Sequence, residues 1–313
     1  MKLTRIRLFI AMLCNCLAMA AVAAPPGIPG GWSDGFAYAN GIRIHYYHAL
    51  PQPGKPVIVM VHGVTDNGLS WATLTEELQK SYDIYMTDAR GHGLSDPFTD
   101  ADDGDTLIKD VVGFVHAMHL EKPILLGHSM GAATVMRVGA EYPILPRAVI
   151  MLDPLLGRLP ANIPGLPARA GSPPVRTPGT LAMFGSPEDL VAQNNEPFEQ
   201  LVATCRRQNS KWDSVDCQYW ALSKKQYHGP YSPKQMQAMT GTMALADSLA
   251  KITAPALILK ADAPPEVRAA NSKAASVMKN GTLIHVDGAA HNLHHDQRAR
   301  TVELLTEFLN KLQ

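Results

Sequence analysis

The sequence predicts an α/β protein with a mostly parallel sheet flanked by helices. Two observations predict it. Short β-rich runs alternate with helical stretches along most of the chain, the order that parallel sheets require. Several of those runs, 57–61 above all, are apolar without alternation, as expected of a strand covered on both faces. The chain has 313 residues, 46% of them hydrophobic, so it can bury a sizeable core.

Each element is justified in turn. Residues 36–39 and 42–47 flank Asn40-Gly41, a hairpin turn pair. Residues 57–61 form a strand, 71–80 a helix and 84–87 the next strand. Residues 105–118 are helical, with Leu107, Val111, Val112, Val115 and Met118 on one side. Strand 124–126, a helix after Ser129 and strand 148–152 follow. The order resumes with strand 256–259, a helix over 268–278, strand 283–286 and a last helix near 298–312. Residues 154–182, rich in Pro and Gly, read as loop. Residues 186–245 read as short helical pieces carrying Trp212, Tyr219, Trp220, Tyr227 and Tyr231. The strand patterns on either side belong to one sheet. Residues 154–245 are therefore an insertion after the sixth strand, and 24–153 with 246–313 form the core.

Residues 1–23 read as a secretory signal. Lys2, Arg5 and Arg7 precede an apolar run over 8–19, and Ala21-Val22-Ala23 is a cleavage site. The expected location is periplasmic or extracellular. The apolar run is too short to span a bilayer, and no later run is long enough, so the mature chain should carry no membrane span. Cleavage takes three basic and no acidic residues from a chain with 28 of each, leaving about three more acidic than basic. That balance gives no reason to expect nucleic acid as a partner. Cys14 and Cys16 leave with the signal. Cys205 and Cys217 remain, and an oxidising compartment favours a disulfide between them over two buried thiols.

The chemistry centres on Gly127-His128-Ser129-Met130-Gly131, directly after the apolar run at 123–126. This is G-x-S-x-G between a strand and a helix, a turn tight enough to lift the serine hydroxyl out of the sheet. The flanking glycines avoid side-chain clashes with neighbouring backbone. A serine hydroxyl is a weak nucleophile at neutral pH. It needs a base, a group that holds the base, and donors for the developing oxyanion.

Three further segments supply candidates. Strand 57–61 runs into His62-Gly63-Val64-Thr65-Asp66-Asn67-Gly68, which resembles the oxyanion-hole loop of α/β-hydrolases. On that resemblance the N–H groups of Val64 and Met130 form the hole. Asp88-Ala89-Arg90-Gly91-His92-Gly93-Leu94-Ser95-Asp96 closely resembles a turn whose role in the family is structural, so His92 and Asp96 receive no catalytic part. His291, in Gly288-Ala289-Ala290-His291, matches the family's histidine loop and is the expected base. His291-x-x-His294-His295 also has the look of a metal site, but neither an HExxH pattern nor a cysteine pair accompanies it. His294 and His295 are expected to start the final helix or to face solvent. The chain thus resembles an α/β-hydrolase over nearly all its mature length, with serine before histidine, and the resemblance implies that the insertion at 154–245 is the family's helical cap.

The acid departs from the family pattern. The usual position falls near Pro264, which has no carboxylate. Asp262 lies two residues early, and Asp153 ends strand 148–152. Asp153 is preferred, with Asp262 as the alternative and Glu266 third.

The resemblance implies acyl transfer to water through an acyl-enzyme on Ser129, with no metal or organic cofactor. The expected substrate is a carboxylic ester or lactone of a small hydrophobic molecule. An amidase or a cofactor-free haloperoxidase on the same residues, and a non-catalytic small-molecule-binding homologue, remain as alternatives. Dehalogenases and epoxide hydrolases of this fold normally carry Asp where Ser129 stands. The aromatics at 212–231 and the loop near 155–167 either line an apolar pocket or form the cap's own core. The sequence leaves the oligomeric state open.

Overall fold

The computed structural model describes residues 25–156, 187–229, 231–240 and 245–312. The signal segment at 1–23 and most of the loop near 155–167 lie outside them.

Eight strands form one sheet: β1 (Ser33–Ala39), β2 (Ile42–His48), β3 (Val57–Val61), β4 (Asp83–Thr87), β5 (Ile124–His128), β6 (Ala148–Leu152), β7 (Ala256–Lys260) and β8 (Gly281–His285). Their spatial order is β1-β2-β4-β3-β5-β6-β7-β8. The β1–β2 hairpin is antiparallel and joins β4 antiparallel; every later pair is parallel. Asn40 and Gly41 both have positive φ, as a two-residue hairpin turn demands.

Alternating residues of the central strands bury on opposite faces, which explains their unbroken apolar runs. Val59, Val61, Leu125, Val149, Met151 and Ile258 face helices α2 (Thr106–Ala117) and α3 (Met130–Glu141). Ile58, Met60, Ile84, Leu126, Ile150 and Leu257 face α1 (Ala72–Leu78) and a C-terminal helix, α11 (Arg298–Asn310). The chain leaves the sheet after β6 and runs through α4 (Pro187–Asn195), α5 (Phe198–Gln208), α6 (Ser214–Lys225), α7 (Pro233–Thr240) and α8 (Leu245–Lys251) before β7. Beyond β7 come α9 (Pro265–Ala275), β8, the one-turn α10 (Leu293–Asp296) and α11. Helix α9 begins three residues earlier than the apolar pattern predicts, because Pro265 takes the first helical position, where its missing N–H costs nothing.

Cys205 of α5 and Cys217 of α6 are disulfide-bonded, with Cα atoms 5.4 Å apart. The aromatics of the insertion divide between roles. Tyr219 enters the core beneath the sheet, and Trp220 packs with Phe198, Leu201 and Ala221 inside the insertion. Tyr231 joins a separate cluster with Met130 and Val64. Among the described residues no helix is long and apolar enough to cross a membrane.

Candidate active site

Ser129 stands between β5 and α3 with φ 52° and ψ −111°, a conformation that non-glycine residues rarely adopt. The neighbouring glycines make this turn possible. A Cβ on Gly127 would lie 2.2 Å from the Gly131 carbonyl oxygen, and one on Gly131 would lie 2.0 Å from that of Val61. The Gly131 N–H donates to His62 O at 3.1 Å, tying the first turn of α3 to the residue that follows β3.

The next strand ends in a second strained residue. Asp153 follows β6 with φ 45°, and its N–H donates to Leu259 O of β7 at 2.7 Å. Its carboxylate oxygens have separate partners. Oδ2 lies 2.6 Å from His291 Nδ1. Oδ1 accepts from the Ala261 N–H at 3.0 Å and lies 2.5 Å from Lys260 Nζ. Burial opposes the charge on Asp153. The hydrogen bond from His291 and the Lys260 ammonium outweigh it and hold the carboxyl well below the usual carboxylate range.

His291 arrives from the loop after β8. Its Nε2 lies 2.9 Å from Ser129 Oγ, so a continuous chain runs from hydroxyl through imidazole to carboxylate. Both ring nitrogens of His291 are thereby engaged. The Asp153 side chain is nearly buried, whereas that of His291 is 40% exposed. The groups can relay a proton and still meet a molecule from outside.

Asp262 stands apart from this chain. It is exposed, pairs with Arg268 and accepts from the Gly288 N–H at 2.8 Å. Glu266 sits exposed in the first turn of α9. His92 is buried and bonded to Arg90 O, and Asp96 pairs with Arg43. His294 and His295 occupy α10, ahead of the final helix, and both are buried. Solvent exposure was the wrong expectation for them: the His294 ring packs on Trp71 and the His295 ring on Trp212.

Val64 follows β3, and Met130 opens α3, where an N–H has no partner inside its own helix. Their side chains join Ala89, Phe98, Leu107, Met236 and Met239 in an apolar cluster. Helix α6 grips the loop that carries Val64. The buried Lys224 ammonium donates to Thr65 O at 2.8 Å and to Thr65 Oγ1 at 2.9 Å, and Asn67 Nδ2 donates to Gln226 Oε1 at 2.7 Å. Thr65 itself has φ 68°. Burial pushes the Lys224 ammonium below the usual lysine range, with Asp66 opposing that shift.

Sequence reasoning passed over Lys224, Lys260 and His128. His128 was legible as the variable residue inside G-x-S-x-G, and Lys260 as a charge closing an apolar strand; nothing marked Lys224.

The model of the alpha/beta hydrolase family matches residues 58–304, a span that includes β3, Ser129, Asp153 and His291. The chain belongs to the α/β-hydrolase family. Its eight-stranded sheet and the helices inserted after β6 are the family's architecture. This α/β-hydrolase is 39% identical to N-formylmaleamate deformylase of Pseudomonas putida over 128 residues, which span 40% of this chain and 47% of that one. It is 22% identical to 2-(acetamidomethylene)succinate hydrolase of Mesorhizobium japonicum over 82% of its own length and 88% of that protein's. It is 24% identical to epoxide hydrolase 1 of Caenorhabditis elegans over 92% and 73% of the two chains. Among solved structures, E-2-(acetamidomethylene)succinate hydrolase superposes with a TM-score of 0.66 at 20% identity, covering 89% of this chain and 99% of that one. The enol-lactonase of Burkholderia xenovorans superposes with a TM-score of 0.60 at 19% identity, covering 88% and 100%.

Proposed function

We propose that this hydrolase is an exported serine enzyme that cleaves a carboxylic ester or lactone of a small hydrophobic molecule. The supporting observation is the unbroken chain from Ser129 Oγ through His291 to Asp153. In this reading His291 takes the hydroxyl proton as Ser129 attacks the carbonyl carbon. The N–H groups of Val64 and Met130 hold the oxyanion, and His291 then protonates the leaving oxygen. Water, deprotonated by His291, releases the acid from the acyl-enzyme. Asp153 keeps His291 oriented and stabilises its charged form. The apolar side chains around Met130 suit a hydrophobic acyl or alcohol group. Export rests on the sequence of residues 1–23.

An ester is preferred because an alkoxide leaving group demands less protonation than an amine. Amide hydrolysis is the second reading, favoured by the similarity to N-formylmaleamate deformylase. Epoxide opening is disfavoured, because a serine stands at 129 where epoxide hydrolases of this fold normally carry aspartate.

The test is a fluorophosphonate probe together with a panel of aryl esters, lactones and amides. Ser129→Ala should take no label and lose turnover. Asp153→Asn should lose roughly 10³–10⁴-fold in kcat, with Asp262→Asn close to the parent. Undiminished turnover by Ser129→Ala overturns the mechanism. Loss confined to Asp262→Asn overturns the choice of acid.

A further inference from the structure

Lys260 ends β7 with its side chain 12% exposed. Its ammonium lies 2.5 Å from Asp153 Oδ1 and donates to Pro154 O at 2.8 Å. It thus ties both residues of a turn in which Asp153 has φ 45°. The carboxylate oxygen it takes is the one that His291 does not use.

From this geometry we infer that Lys260 is a positioning residue that tunes the site electrostatically: it fixes the Asp153 carboxylate toward His291 and sets the lower pH limit of Ser129 reactivity. The inference rests on the reading of Ser129 and His291 as nucleophile and base. The tether holds one oxygen so that the other presents a fixed lone pair to His291 Nδ1. A cation on the far side of the carboxylate also weakens the field that this carboxylate exerts on the imidazole. The charged imidazole that forms as the hydroxyl proton moves then gains less from that carboxylate, so the charge at Lys260 reaches Ser129 through Asp153 and His291.

Other groups share this environment. His128 at the end of β5 has its ring 4.7 Å from that of His291, and His294 of α10 lies next to His128. Asp66 from the loop after β3 acts on His128 with the opposite sign. On β8, His285 pairs in register with Lys260 and feels Arg268 and Asp262 as well. None of these is the group in contact with Asp153 Oδ1; Lys260 and the Ala261 N–H are.

The experiment reads the pH dependence of the rate at which a fluorophosphonate labels Ser129, which requires no knowledge of the substrate. It compares the full-length protein with Lys260→Met, Lys260→Gln and Lys260→Arg. Glutamine keeps a donor without the charge; arginine keeps the charge. In both neutral variants the lower pH limb should move up by roughly half a unit to two units, and arginine should return it to the wild-type position. A purely structural role predicts a lower Tm with an unmoved limb, and that result overturns the inference. Failure of both neutral variants to fold also overturns it, because Lys260 is then a stability residue. A wild-type protein that takes no label refutes the reading of the site itself, whereas labelled wild type with an unmoved limb refutes only the role of Lys260.

Discussion

His128 Nε2 donates to the backbone carbonyl of His291 at 3.0 Å. A carbonyl only accepts, so Nε2 carries the proton. The residue before Ser129 therefore holds the loop that brings His291 to it. Burial, with His291 nearby, pushes the His128 imidazole down to about 3, so it is neutral at working pH. His128→Phe keeps an aromatic ring and removes the donor. It should lower kcat roughly tenfold and cost about 1–2 kcal/mol of stability. Steady-state kinetics and urea titration check both numbers, and an unchanged kcat would show that the His291 loop needs no such tether.

Lys224 performs a similar service for the loop carrying Val64. Lys224→Met deprives Thr65 of two charged hydrogen bonds and should cost about 2 kcal/mol. If Val64 is an oxyanion donor, kcat should fall more than KM rises. A change confined to KM would place Lys224 in substrate binding instead.

Gly131→Ala tests the turn directly. Its Cβ would meet the Val61 carbonyl at 2.0 Å, where only backbone movement relieves the clash. The expected loss is about 3 kcal/mol, read as a lower thermal midpoint, with fluorophosphonate labelling suppressed in the protein that remains folded.

Stability should fall as the solution is acidified from about pH 6.5. Burial depresses His62, His92, His128 and His294 in the folded state. The unfolded chain then binds more protons below the ordinary histidine value, so folding loses free energy as pH drops. His45 acts in the opposite sense. Burial pulls it down, but Asp88 and Asp34 overcome this and raise it, so its contribution is complete at low pH and lost as pH rises through its folded value. Below about pH 4, protonation of Asp153 and Asp216 adds a further loss, since both carboxyls are held low in the fold. Thermal midpoints from about pH 8 to about pH 2 measure the sum, and His128→Phe should flatten the slope between about pH 6.5 and about pH 4.

The strands, the turn at Ser129 and the arrival of His291 were legible because each leaves a local trace: an apolar run, paired glycines, a histidine after a strand. The choice between Asp153 and Asp262 had no such trace. Both follow strands, and only the neighbouring ends of β6 and β7 decide which one faces the imidazole. Lys224 and Lys260 were illegible for a related reason. A lysine in sequence reads as solvated, and only tertiary contacts supply the carbonyls and carboxylates that let Lys224 be buried and Lys260 be largely withdrawn from water. His294 and His295 were misjudged likewise, because the indoles of Trp71 and Trp212 that cover them lie far away in the chain.

The hydroxyl and the imidazole that meet at 2.9 Å are 162 positions apart, and the imidazole follows the last strand of the sheet in chain order. On the proposed mechanism, a growing polypeptide carries an idle serine until β8 has docked beside β7. In that reading, any fragment that stops short of that strand folds, at best, into a scaffold without its base, and reactivity appears only once synthesis is nearly finished.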